Sequence, residues 1–67
     1  MDLIKKLGEN LKQERISRKL SQEKFAEILD IHTNYYSALE RGERNPTLKL
    51  LEKLARNLGC EPLAFLR

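Results

Sequence analysis

The 67-residue sequence predicts a compact all-α domain of five short helices. Three observations carry that expectation. Apolar residues recur at three- and four-residue spacing, β-branched residues are few with no valine among them, and the two prolines and three glycines can be placed at or near helix ends, Gly8 least well. No repeat, low-complexity stretch or linker interrupts the pattern, so residues 1–67 read as one domain.

The first helix is expected from about Leu3 to Lys19, with Leu3, Leu7, Leu11 and Ile16 along one apolar face. Gly8 lies inside it, at a cost of about 1 kcal/mol unless a neighbour needs close approach there. Ser21, followed by Glu23, begins a second helix from Gln22 to Leu29 that turns Phe25, Ala26 and Leu29 inward. Asp30-Ile31-His32 breaks the pattern after only eight residues. His32 or Thr33 then caps a third helix that ends by Gly42. Its Tyr36 and Leu39 face the core, while Thr33, Asn34, Ser37, Ala38 and Arg41 face elsewhere. After a loop through Pro46, Thr47 caps a fourth helix whose Leu48, Leu51, Leu54, Ala55 and Leu58 share a face. Gly59 closes it, and Pro62 opens a short fifth helix from about Glu61 to Leu66. Cys60 reads as a small core residue.

Composition narrows the function classes. One cysteine and one histidine exclude a disulfide framework and make a Cys/His metal site untenable; no cofactor is expected. No apolar run reaches the roughly 18 residues of a membrane span, and the opening Met-Asp-Leu-Ile-Lys-Lys is too polar for a signal peptide. A cytoplasmic location follows as an expectation. A net charge of +3 is only permissive toward nucleic acid, but its distribution is uneven. Residues 1–20 carry six basic and three acidic groups, residues 21–40 one and four, and residues 41–67 six and three. A chain this short buries only about 60% of its unfolded surface, which favours a partner. Leu50, Leu63 and Leu66 are left over once the core is assigned. They point to a homodimer through the last two helices, about residues 47–66. Ile28 has no assigned role.

Two short helices, about 22–29 and 33–41, on a three-residue joint suit a helix-turn-helix, in which the first helix crosses a DNA backbone and the second enters the major groove. The small and amide side chains on the outward face of the second suit base reading. At this point the residues resemble the XRE/Cro-type helix-turn-helix family of phage repressors. The likeness lies in Ser21-Gln22-Glu23-Lys24-Phe25-Ala26, in Leu29 and Ile31 around Asp30, and in Leu39-Glu40-Arg41-Gly42-Glu43-Arg44-Asn45-Pro46, and it extends from Leu7 to Leu66. Within the family the chain is most similar to restriction–modification controller proteins, in His32, Tyr35, Ser37, Glu40-Arg41-Gly42, Arg44-Asn45, Leu58-Gly59 and Glu61-Pro62.

The resemblance implies roles. Gln22 would bond a phosphate at a helix N-terminus; Thr33, Asn34 and Ser37 would face bases; Tyr35 would reach a phosphate or the groove wall; Arg41, Arg44 and Asn45 would meet the backbone. Arg15 and Glu40 match a buried ion pair of phage-repressor relatives. The implied partners are a double-stranded operator of roughly palindromic sequence, a second copy of the chain and, for activation, RNA polymerase, with no small-molecule effector and no membrane. Three positions depart from the family pattern: Asp30 replaces the usual Gly, Tyr36 an Ile or Val, and Thr33 a frequent Arg of controllers. A phage repressor or Cro-like protein, an antitoxin-type autoregulator and an interaction module without DNA binding stand as alternatives. An enzyme is not expected, because His32, Tyr35 and Glu40 suggest no cleft and no activated nucleophile.

Overall fold

Four α-helices and a closing 3-10 segment make up most of residues 2–67, which the computed structural model describes. The helices are α1 (Leu3–Ser17), α2 (Gln22–Leu29), α3 (Thr33–Glu40) and α4 (Leu48–Leu58); the 3-10 segment is Pro62–Leu66. Each α-helix opens on a side-chain acceptor. Asp2 Oδ1 accepts from the Ile4 and Lys5 N–H groups at 3.1 and 3.2 Å, Ser21 Oγ from Lys24 at 3.1 Å, His32 Nδ1 from Asn34 at 3.2 Å, and Thr47 Oγ1 from Leu50 at 3.1 Å.

All four also close alike, on a residue of positive φ: Lys19 (58°), Asp30 (59°), Gly42 (74°) and Gly59 (71°). The next N–H reaches five residues back, from Leu20 to Arg15, Ile31 to Ala26, Glu43 to Ala38 and Cys60 to Ala55, at 2.9–3.2 Å. These closures satisfy carbonyls that a helix end leaves free, and they turn the chain sharply enough for consecutive short helices to pack. The left-handed turn at Lys19 is why α1 stops at Ser17 and not at Lys19 as the periodicity predicts.

The core consists of Leu7 and Leu11 from α1, Phe25, Ala26 and Leu29 from α2, Tyr36 and Leu39 from α3, Leu51, Leu54 and Ala55 from α4, and Phe65. Phe25 meets Tyr36 edge-to-face, with centroids 5.4 Å apart. α1 packs on α3 and on the 3-10 segment, and α2 packs on α3 and α4.

Several expectations are corrected. The fifth element is a 3-10 segment and not an α-helix. It opens on the i to i+3 link from Ala64 N–H to Glu61 O, and the Phe65 and Arg67 carbonyls accept from Asn10 Nδ2 at 2.6 and 3.3 Å. Leu3, Ile16 and Leu48 lie off the core, because a real helix turns 3.6 residues at a time and only the middle of each apolar stripe meets a neighbour. Ala38 is buried and not outward, since α3 is covered on that flank too. Cys60 is exposed, carried outward by the left-handed turn at Gly59.

Gly8 is where α1 and α3 come closest. A Cβ there would run into the Leu39 carbonyl oxygen and lie 2.7 Å from that of Glu40, and backbone on both sides leaves nothing free to yield. Gly8→Ala, which in an exposed helix gains about 1 kcal/mol, is therefore expected to destabilise by about 1–3 kcal/mol. Urea unfolding measures the sign; a gain in stability would refute the close approach.

Candidate nucleic-acid interface

The joint between α2 and α3 is braced from behind. Two side chains of α4 reach the end of α2: Asn57 Nδ2 donates to Leu29 O at 3.1 Å and Lys53 Nζ to Asp30 O at 2.8 Å. Lys53 Nζ also sits 3.3 Å from Asp30 Oδ2, so the acid that replaces the family's usual glycine has a counter-charge beside it.

At the other end of the pair lies a partly buried polar network. Arg15 Nε is 2.6 Å from Glu40 Oε2 and its Nη2 is 3.4 Å from Oε1, while Nη1 donates to Leu20 O at 3.0 Å. The Arg15 and Glu40 side chains are only 16% and 5% exposed. The Tyr36 hydroxyl donates to Glu40 Oε2 and approaches Leu11 O at 3.4 Å. Gln22 Nε2 donates to Glu40 Oε1 at 2.9 Å, and the Ser37 hydroxyl donates to Gln22 Oε1 at 2.7 Å. Three residues from three helices thus converge on one carboxylate, and Ser37 joins the network through Gln22. Every buried side-chain nitrogen and oxygen among the described residues has a partner.

Charge states follow from this geometry. Burial pushes the Glu40 carboxyl up, but hydrogen bonds from Arg15, Tyr36 and Gln22 and the charge of Arg15 outweigh it and hold Glu40 below the usual carboxylate range. The Arg15 guanidinium is raised by its bond to Glu40 against the opposing effect of burial. Burial, followed by the Glu40 carboxylate, pushes the Tyr36 hydroxyl well above the usual phenol range, so it stays a donor.

The eight sequence-predicted contact residues occupy the first position of α2, the exposed side of α3 and the loop after it. Asn34 is exposed, and Thr33, Tyr35 and Ser37 are partly so. Arg41, Arg44 and Asn45 are exposed at the end of α3 and beyond. Tyr35 lies partly against the core, and the Arg44 guanidinium stands over its ring at 5.7 Å. Arg41 Nε contacts Glu43 Oε1 at 3.1 Å on the surface. The polar end of Gln22, expected at a phosphate, is bonded to Glu40 and Ser37. Of the three unassigned leucines, Leu63 is exposed, whereas Leu50 and Leu66 pack partly against the core.

Sequence reasoning found Arg15 and Glu40 but missed three members of their network. Tyr36 had a legible signal: it stands four residues before Glu40 on the same helix face, and its hydroxyl required a partner. Gln22 and Ser37 had none, since their contact depends on how α2 crosses α3.

Breaking the pair is expected to be severe. Arg15→Met should lower stability by about 3–5 kcal/mol, because it strands the Glu40 carboxylate. At about 4–8 °C per kcal/mol the melting temperature falls by more than 10 °C near pH 7. Since Glu40 is depressed in the folded state, its contribution is present above the usual carboxylate value of 4.5 and is lost as pH falls through its lower native value. The gap between variant and wild type should therefore narrow below about pH 4.5. Thermal melts at several pH values check both statements; a variant melting within a degree or two of wild type at pH 7 refutes them.

Comparison with known proteins was consistent with this architecture. A family model described as helix-turn-helix matches residues 11–65. Control protein C.BamHI of Bacillus amyloliquefaciens is 43% identical over 56 residues, covering 82% of this chain and 69% of that protein. Among solved structures, the restriction-modification controller protein C.AhdI of Aeromonas hydrophila superposes with a TM-score of 0.82 at 35% identity, over 92% of this chain and 94% of that one. A hypothetical transcription factor from Neisseria, NHTF, gives 0.88 at 33% identity, over 98% and 76%.

Proposed function

This chain belongs to the helix-turn-helix family, of XRE/Cro type and closely related to restriction–modification controllers, and from that we propose that it is a dimeric controller acting on a pseudo-palindromic operator. It is a sequence-specific DNA-binding regulator and not an enzyme. In this reading α2 and α3 are the helix-turn-helix, and α3 enters the major groove. The observation that carries it is the exposed side of α3, with Thr33, Asn34, Tyr35 and Ser37 held against a frame that is hydrogen-bonded from two sides.

Asn34, unencumbered at its side chain, suits bidentate bonding to an adenine edge, and Thr33 suits contact with a thymine methyl. Gln22 keeps one amide hydrogen free after serving Glu40, enough to bond a phosphate near the start of α2. Arg41, Arg44 and Asn45 grip the backbone. Tyr35, stacked under Arg44, holds that guanidinium near the groove edge. The domain spans residues 1–67, with dimerisation through residues 47–66, where Leu63 provides exposed apolar surface and Leu50 and Leu66 are partly exposed. A two-fold dimer presents two α3 helices about one DNA turn, roughly 34 Å, apart. Occupancy over a promoter represses, and occupancy just upstream recruits RNA polymerase.

Selection from a randomised duplex pool, followed by titration across salt, tests the reading. The wild type should enrich one sequence, with log K falling linearly as log salt rises. Asn34→Ala should lose about 1–3 kcal/mol of discrimination at one base pair. Arg44→Ala should weaken all sequences alike and reduce the salt slope by about 1. No enrichment at low salt would favour an interaction module instead.

For the dimer, Leu63→Glu should shift sedimentation from dimer to monomer and raise the DNA concentration dependence, while leaving the melt of the monomer nearly unchanged. A variant that stays dimeric places the interface elsewhere.

A further inference from the structure

The network behind α3 has a direction. Glu40 is ionised and can only accept hydrogen bonds, and Arg15 and Tyr36 already donate to it. The Gln22 side chain therefore has one tolerable orientation, with its amino group toward Glu40 Oε1 at 2.9 Å. Flipping the amide would set oxygen against a carboxylate. With nitrogen committed to Glu40, Gln22 Oε1 faces Ser37 Oγ at 2.7 Å, and the hydroxyl must give its single hydrogen to that oxygen. Ser37 then retains only lone pairs for anything beyond the protein.

We infer that Glu40 is a positioning residue for base selection: acting through Gln22, it fixes Ser37 as a hydrogen-bond acceptor toward DNA. This rests on the reading above in which Ser37 faces bases. An acceptor can bond the adenine N6 or cytosine N4 amino group and cannot satisfy guanine N7 or O6, adenine N7 or thymine O4, all of which need a donor. A free serine hydroxyl serves either kind of edge, so the relay converts an ambivalent side chain into a selective one. Sequence choice at that base pair is thus decided three side chains away, by a carboxylate that never meets DNA.

The test uses the full chain and the duplex that the wild type selects. Comparing wild type with Ser37→Ala across the duplex locates the base pair that depends on Ser37. At that pair, single-atom base analogues are combined with Ser37→Ala in double-mutant cycles. Purine in place of adenine, or a pyrimidinone in place of cytosine, deletes the amino donor; 7-deazapurines and a thymine analogue lacking O4 delete acceptors. Deleting the amino donor should weaken wild-type binding about ten-fold and Ser37→Ala hardly at all, while deleting an acceptor should show no coupling to Ser37. Gln22→Met releases the hydroxyl. Whatever uniform affinity it costs, it should create coupling between Ser37 and an acceptor and relax the preference at that pair alone. Coupling of the wild-type Ser37 to an acceptor atom overturns the inference while leaving Ser37 a base reader. An unchanged pattern in Gln22→Met overturns the part played by Gln22 and Glu40. If Ser37→Ala alters preference at no base pair, the placement of Ser37 at the bases falls and the inference falls with it.

Discussion

One carboxylate, that of Glu40, holds the molecule together. It ends α3, yet it is shared by α1 through Arg15, by α2 through Gln22 and by its own helix through Tyr36. Isolated helices of eight residues are unstable in water, so α2 and α3 exist because something fixes them to a longer element. Leucines and Phe25 supply the burial; Glu40 supplies the angle. Apolar contacts tolerate sliding, whereas a forked arginine and a two-oxygen acceptor match in few orientations. The role proposed for α3 needs that restriction, because hydrogen bonds to base edges depend on side-chain geometry.

Backbone economy supports the same end. Four successive left-handed closures turn the chain without long loops, and two of them use residues with a Cβ, Lys19 and Asp30. At Asp30 the disfavoured conformation is accompanied by Lys53 and Asn57 binding the end of α2. α4 therefore does more than fill the core with Leu51, Leu54 and Ala55: its polar flank secures the joint from the side opposite Glu40. The pair α2–α3 is clamped at both of its ends.

How much of this was legible in the sequence depends on whether a feature is local. Ser21, Thr47, Gly42 and Gly59 act on neighbours within one turn, and the boundaries they mark are where the helices begin and end. Gly8 was readable as a site of close approach because an interior glycine is otherwise unfavourable. Errors arose where a neighbouring element decides. Leu48 has the spacing of a core residue but no helix over it, and Ala38 has the look of a surface residue but is covered. The Pro62–Leu66 segment had helix-forming residues, yet it winds as 3-10, with Asn10 of α1 bonded to its Phe65 carbonyl. For the site, residue types on α3 placed Asn34 on the exposed side but misplaced Ala38, and the link from Ser37 through Gln22 needed the crossing of two helices.

The clasp of Asn10 on the Phe65 carbonyl has a mechanical consequence. Asn10 and Arg15 stand five residues apart on one unbroken helix, about 7.5 Å along its axis. One pin engages the 3-10 segment and the other engages α3. Between them lies neither a hinge nor a loop, only hydrogen-bonded helix. One helix therefore ties the 3-10 segment and α3 to each other through two side chains. In the proposed complex, the seat of Leu63 and the placement of Asn34 therefore share α1 as a common support.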